Sequence, residues 1–402
     1  VTTDQPETCP YPFGEPVALS LHPNYRKLRE TPGMPKVRMT YGQPAWLATR
    51  YEDVKTVLGD SRFSRAAAVG PDEPRVLPFV QRSDSIFTTD GADHNRLRKA
   101  VAMAFTPRRV EQLQPFIQAT ADGLLDELEA AGPPADLVRG LSLPMSIQVI
   151  CTLLGVPYED RDRFRAWADI ILVNSADAGV RPEQIVQAQQ DLRDFLGELV
   201  GERRESPADD LLGVLVEAGD EEGKLTDDEI VGLGVDVLIA GHETTTNFIG
   251  NLTYLMITSG TYSWLRDHPP SLPQAIEELL RLVPLGANAF MARVATEDVP
   301  LGGVVVRAGE AVLPAMASAN QDETVFENAS QPTFVDRPVR HLTFGHGPHH
   351  CLGAQLGRTE LRIAIGALLR RFPNLELAVP AEEVGWRSTM LIRGPWALPV
   401  RW

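Results

Sequence analysis

Phe344-Gly345-His346-Gly347-Pro348-His349-His350-Cys351-Leu352-Gly353 is the stretch on which the fold turns. It carries one cysteine, on a glycine-rich loop, to the start of a long predicted helix over 352–372. Glycine lets a backbone take positive φ and approach a flat ligand closely. The first turn of a helix offers unpaired N–H groups and the positive end of its dipole. Both lower a thiol pKa and predict a thiolate at Cys351. A lone thiolate held this way suits one axial position on haem iron. Two other readings remain open at this point. His341, His346, His349 and His350 share the segment, half of the chain's eight histidines, and zinc takes His and Cys ligands. No second cysteine or CxxC pair accompanies them, however. A buried structural cysteine is the third reading.

The surrounding chain has 402 residues, 43% of them hydrophobic and 23% charged. That is enough to bury a core and still enclose a cofactor. A formal charge of −16 repels phosphate backbones and argues against general nucleic-acid binding. Cys9, Cys151 and Cys351 are too far apart to form a disulfide framework, which suits a reducing compartment. Cys151, beside Ile150, Leu153 and Leu154, reads as a small buried hydrophobe, and Cys9 as incidental. The N-terminal residues do not have the pattern of a signal peptide. No apolar run of about 18 residues is present to span a membrane. A cytoplasmic protein is expected. Glycines and prolines are scattered as punctuation, with no repeat and no long linker, so 1–402 is read as one body.

Working upstream, Lys36–Thr40 and Ala45–Thr49 flank Gly42-Gln43 as a hairpin, and Tyr51–Leu58 reads as a short helix. Residues 65–92 form a long loop, a length usually tied to function. From about 93 to 282 the pattern is mainly helical. Thr226 and Glu229 make a capping box ahead of a helix reaching about Ser259. Its centre, Val235–Ile239, is nearly all apolar and should cross the interior. Gln274–Leu282 is helical, and Val299–Val312 is strand-like with a turn at Gly302-Gly303.

Two further motifs precede the cysteine loop. Glu278-Leu279-Leu280-Arg281 puts an acid and a base on one helix face. Ala240-Gly241-His242-Glu243-Thr244-Thr245 places glycine and hydroxyls mid-helix, where they can bend the ladder beside a ligand. With the cysteine loop, these resemble the Glu-x-x-Arg, oxygen-activation and haem-binding motifs of the cytochrome P450 family, in order and over most of the chain. The resemblance implies a mostly α fold with a small β-rich lobe built from the N- and C-terminal strands, carrying a helical body over about 93–282 and 352–372. It implies haem b ligated by Cys351. Phe344, Gly345, Gly353 and Ala240 would lie against it, and His94, Arg98, Arg293 and His349 would meet its propionates. Glu278 and Arg281 would be architectural. Glu243 and Thr244 would supply protons while one atom of O2 enters the substrate and the other leaves as water.

The chain carries no flavin or nucleotide fingerprint, so the resemblance implies electrons from a ferredoxin and its NAD(P)H-dependent reductase. Arg358 and Arg362, four apart on the helix after Cys351, would form the docking patch, with Lys99, Arg108 and Arg109 as further members. A peroxide-driven peroxygenase and a haem sensor without turnover are the alternatives, and the Glu243-Thr244 pair argues against both. The closest likeness is to actinobacterial members that tailor secondary metabolites, which implies a hydrophobic small or medium organic substrate and a monomer. Its pocket is expected along the 76–87 loop, at Leu233, Val237 and Ala240, at Ala287, Asn288 and Phe290, and at Met390-Leu391. A lid is expected near 173–180.

Overall fold

The computed structural model describes residues 9–14, 17–77, 79–171, 179–222, 225–286, 289, 291–334, 339–387 and 390–402. The chain opens with β1 (Cys9–Pro10), α1 (Pro23–Glu30), β2 (Lys36–Arg38), β3 (Ala45–Ala48), α2 (Tyr51–Gly59) and β4 (Phe63–Ser64). The expected hairpin and the expected helix are both there, with Lys36 opposite Trp46 and Val37 opposite Ala45. After the loop at 65–90 the chain becomes helical: α3 (Gly91–Ala102), α4 (Pro107–Ala131), β5 (Ala135–Asp136), α5 (Leu143–Leu154), α6 (Arg161–Ile171), α7 (Pro182–Glu205), α8 (Leu211–Glu222) and α9 (Asp227–Thr258). Then come α10 (Thr261–Asp267), α11 (Leu272–Leu282), β6 (Arg293–Ala295), β7 (Val299–Leu301), β8 (Val304–Val306), β9 (Ala311–Pro314) and α12 (Met316–Ala319). The chain closes with α13 (Ala354–Arg371), β10 (Glu376–Leu377) and β11 (Pro399–Arg401).

α9 is the spine. Thr226 and Glu229 close the capping box in both directions. From there 32 residues run unbroken, about 48 Å at the helical rise. Buried residues lie on every side of it, because α5, α7, α10 and α13 all pack against it. Close packing needs small residues at the crossings. A Cβ added to Gly241 would stand 2.6 Å from Ile150 Cδ1 on α5. The helix remains α-helical through 240–245, without the π-bulge that the glycine and hydroxyls suggested. Thr244 Oγ1 nonetheless donates to Ala240 O at 2.6 Å, the back-bond expected of such a hydroxyl.

The β lobe differs from expectation. Its six-stranded sheet has the order β1-β2-β3-β9-β6-β4, joining N-terminal strands to strands at 293–314. The C-terminal strands do not enter it. β10 and β11 pair instead with β5 in a separate three-stranded sheet. Asp136 explains the choice, since its Oδ1 accepts from both Val138 N and Leu398 N and anchors the C-terminus at the head of α5.

Candidate active site

Most of α9 is buried, but Val237, Ala240, Gly241 and Thr244 are partly exposed. Their spacing of three, one and three places them on one stripe. This stripe is an open face in the middle of a core helix. Leu233, expected beside them, is 2% exposed and belongs to the main core instead. Ile239 packs with Met390 and Val180, so the C-terminal turn and the segment before α7 meet this part of the helix. Leu391 is half-buried against the sheet side. Ala287, Asn288, Phe290 and most of the expected lid lie outside the described residues.

The cysteine loop leads into α13. Cys351 N donates to Phe344 O at 2.7 Å and His350 N to Gly347 O at 3.0 Å, which curls the loop. Gly345 and Gly347 take φ of +75° and +71°. At Gly347 glycine is obligatory, since a Cβ would lie 2.6 Å from Leu58 O. Helix α13 is capped at Gly353, so Cys351 lies just ahead of the helix rather than in it. Cys351 is accessible, but crowding by protein atoms pushes its thiol up from the ordinary value. The Gly353 N–H, Arg98 and Arg358 act downward, as expected of this loop, and are outweighed. A coordinated metal ion is the stronger field that deprotonates such a thiol.

Beside the loop lies a cationic cluster. Arg65, Arg293 and His94 are all buried. Burial brings each of the two guanidiniums down to about 10, so both stay charged at neutral pH. His94 stacks on His349 at 4.1 Å, and burial followed by His349 and Arg98 lowers it to about 4. Arg98 Nη2 donates to His350 O at 2.6 Å. Asp90 stands near His349 Nε2 at 3.4 Å. Burial works against its ionisation, yet bonds from His349 and Ser64 hold it well below the usual carboxylate range. Arg293 Nε has no hydrogen-bond partner among the described residues. Buried guanidiniums facing one carboxylate call for further anionic partners, and the two propionates of haem are such groups. The residues therefore fit haem. Among the described residues no three His, Cys, Asp or Glu side chains converge as a metal cluster. His341 instead faces Glu277 at 3.1 Å.

Glu278 and Arg281 form a buried pair, joined at 2.8 and 2.7 Å. Arg281 also donates to the carbonyls of Asn320, Ala329 and Gln331, and Thr333 N donates to Glu278. Arg358 is not a free surface cation. It forms two bonds to Glu277, at 2.7 and 2.9 Å, and stacks on Phe344. Arg109 pairs with Asp209 at 2.5 Å. Among the described residues, Arg362 donates to Arg358 O at 3.3 Å and to Thr359 Oγ1 at 3.2 Å.

Glu243 is 1% exposed and points away from the Thr244 stripe. Its Oε1 accepts from Arg387 and from Asn247 Nδ2. Sequence reasoning missed Arg387, Arg65 and Asp236, all of which act across long chain separations. Asp236 alone left a local trace, as a single acid inside an apolar run.

A family model described as Cytochrome P450 matches residues 14–262 and 265–383. Nocardicin C N-oxygenase of Nocardia uniformis subsp. tsuyamanensis is 48% identical, covering 98% of this chain and 99% of that protein. Mycinamicin IV hydroxylase/epoxidase of Micromonospora griseorubida is 42% identical, with 98% of each covered. The crystal structure of a P450 hydroxylase from the leinamycin biosynthetic pathway of Streptomyces atroolivaceus S-140 superposes with a TM-score of 0.92 at 47% identity, covering 98% of this chain and 100% of that one.

Proposed function

The chain belongs to the cytochrome P450 family, and on that footing we propose that it oxygenates a hydrophobic secondary metabolite of small to medium size, with electrons from a ferredoxin. It is an oxidoreductase of the monooxygenase class that binds haem b. Among the described residues no helix is long and apolar enough to cross a membrane. Residues 1–402 act as one catalytic unit and as a monomer.

When bound, haem supplies reductive activation of O2 and transfer of one oxygen atom to the substrate. Cys351 would hold the iron, with Phe344, Gly345 and Gly353 shaping the loop beneath it. His94, Arg98, Arg293 and His349 would bind the propionates, joined by Arg65. Val237 and Ala240 line the substrate side, with Leu391 and the 285–290 segment completing the wall. Thr244 and Glu243 hold and pass protons. Glu278 and Arg281 brace the segment that leads into the cysteine loop. The observation that carries this reading is the partly exposed stripe Val237, Ala240, Gly241 and Thr244 on a mostly buried helix. The substrate class rests on the relatives, whose names point to nocardicin and mycinamicin chemistry.

Cys351→Ser tests the assignment. The wild type, reduced and exposed to carbon monoxide, should give the red-shifted band of thiolate ligation, and the variant should lose it. A folded, haem-loaded Cys351→Ser protein that keeps the band overturns the ligand assignment.

A further inference from the structure

Polar side chains on α6 and α9 surround Glu243 electrostatically, and two of them, Asp169 and Arg165, reach solvent. Asp169 and Arg165 stand 3.7 Å apart on α6, each side chain 43% exposed. Next inward is His242, whose side chain is 2% exposed. Among the described residues, neither of its ring nitrogens has a hydrogen-bond partner. Its Nδ1 lies 3.8 Å from Glu243 Oε2, an oxygen that likewise has no hydrogen-bond partner among the described residues. The other oxygen, Oε1, is fixed by Arg387 and Asn247. Asp169 interacts electrostatically with both His242 and Glu243.

A buried imidazole with two idle nitrogens is costly, and in a purely structural role an apolar ring would serve better. Burial, reinforced by Arg387 and Arg165 and opposed by Asp169, brings His242 down to about 4, so it is neutral at working pH. A neutral imidazole accepts a proton on one nitrogen and donates from the other. The 3.8 Å gap to Glu243 is one that a single water bridges.

We propose that His242 carries protons from Asp169 at the surface to the free Oε2 of Glu243, making the α6 side of α9 the proton inlet. The inference rests on the reading that Glu243 and Thr244 supply protons to the oxygen reaction. In each passage a proton from solvent at Asp169 adds to one nitrogen of His242. The other nitrogen releases its own proton to Glu243 Oε2, and no electrons move. Arg387 and Asn247 are positioning residues, since they hold Oε1 and leave Oε2 turned to the imidazole.

The test compares His242→Phe, Asp169→Asn and Thr244→Ala holoenzymes. His242→Phe and Asp169→Asn should each raise the peroxide released per NADPH by about twofold to tenfold. Both should enlarge the solvent deuterium isotope effect without altering the substrate-induced spin shift. In the carbon-monoxide-inhibited holoenzyme, Asp169→Asn should also shift the His242 tautomer balance, read from its ring nitrogen NMR signals. Wild-type coupling and isotope effect in both variants, while Thr244→Ala uncouples, would place the inlet elsewhere and overturn the proposal. If Thr244→Ala also stays coupled, the reading beneath it fails as well. Should His242→Phe not load haem, the half-exposed Asp169→Asn change decides alone.

Discussion

Ser85 Oγ donates to Asp236 Oδ2 at 2.7 Å, and Ile86 N donates to the same oxygen at 2.9 Å, so one carboxylate ties the 65–90 loop to the middle of α9. Burial raises Asp236 from its ordinary value to about 6. The native state therefore keeps a proton that the unfolded chain releases between about pH 4 and 6. The Asp236 contribution to stability is complete below that window and declines as pH rises through it. Asp236→Asn stays neutral and retains an acceptor for both donors. Relative to wild type, its melting temperature should climb as pH rises from about 4 to about 6 and level off above. Thermal melts of the two proteins across that range check this, and a constant difference would contradict it. Asp236→Ala should speed hydrogen exchange at 79–90.

Gly347 and Gly357 should respond in opposite ways to alanine. At Gly347 φ is +71° and a Cβ would meet Leu58 O at 2.6 Å. Gly347→Ala should cost about 1–3 kcal/mol and lower the haem retained per chain. Gly357 lies inside α13 with nothing within 4 Å of an added Cβ. Gly357→Ala should stabilise by up to about 1 kcal/mol. Melting temperature and haem-to-protein ratio measure both, and equal losses would mean that the loop geometry is not what limits haem binding.

The features legible in the sequence were local ones. The Thr226–Glu229 box and the Glu278–Arg281 pair each lie within one helical turn, so spacing alone brings their atoms together. The Gly42 hairpin and the cysteine loop announce themselves by turn chemistry. What spacing could not supply was the partner across the fold. Glu243 reads as a solvent-linked acid beside Thr244, yet Arg387, 144 residues on, turns it to the far side of the helix. Arg358 reads as a surface cation until Glu277 takes the Nε–Nη2 edge of its guanidinium with both carboxylate oxygens. The separate sheet of the C-terminal strands was hidden for the same reason, because strands of two or three residues carry little periodicity and Asp136 decides where the C-terminus pairs.

The docking patch is narrowed by that pairing. Arg358 is neutralised by Glu277 and supports Phe344, so its loss would disturb the cysteine loop. Arg362, which pairs with no carboxylate among the described residues, and exposed Lys99 and Arg108 carry the outward charge. Arg362→Glu should slow reduction by an acidic ferredoxin at low salt by about threefold to thirtyfold, and the difference should shrink as ionic strength rises. Substrate affinity should not change. Stopped-flow reduction at two salt concentrations measures the effect, and equal rates at low salt would remove Arg362 from the patch.

Ala240 is where the pocket can be tested most directly. It lies on the open stripe with Val237 and Thr244, and its carbonyl accepts the Thr244 hydroxyl at 2.6 Å. That bond uses backbone, so a larger side chain at 240 leaves it intact. A phenyl ring there would project from the partly exposed stripe into the space beside Thr244, next to the point where Gly241 meets Ile150 of α5. Ala240→Phe should fold and load haem like the wild type. Overpacking a site that must admit a ligand costs about 1–3 kcal/mol, or roughly tenfold to a hundredfold in substrate affinity. Titrating substrate against the haem spin-state shift reads the affinity, and the haem-to-protein ratio reads the fold. Retained haem with weakened binding places substrate against this helix. Wild-type affinity would move the pocket off α9.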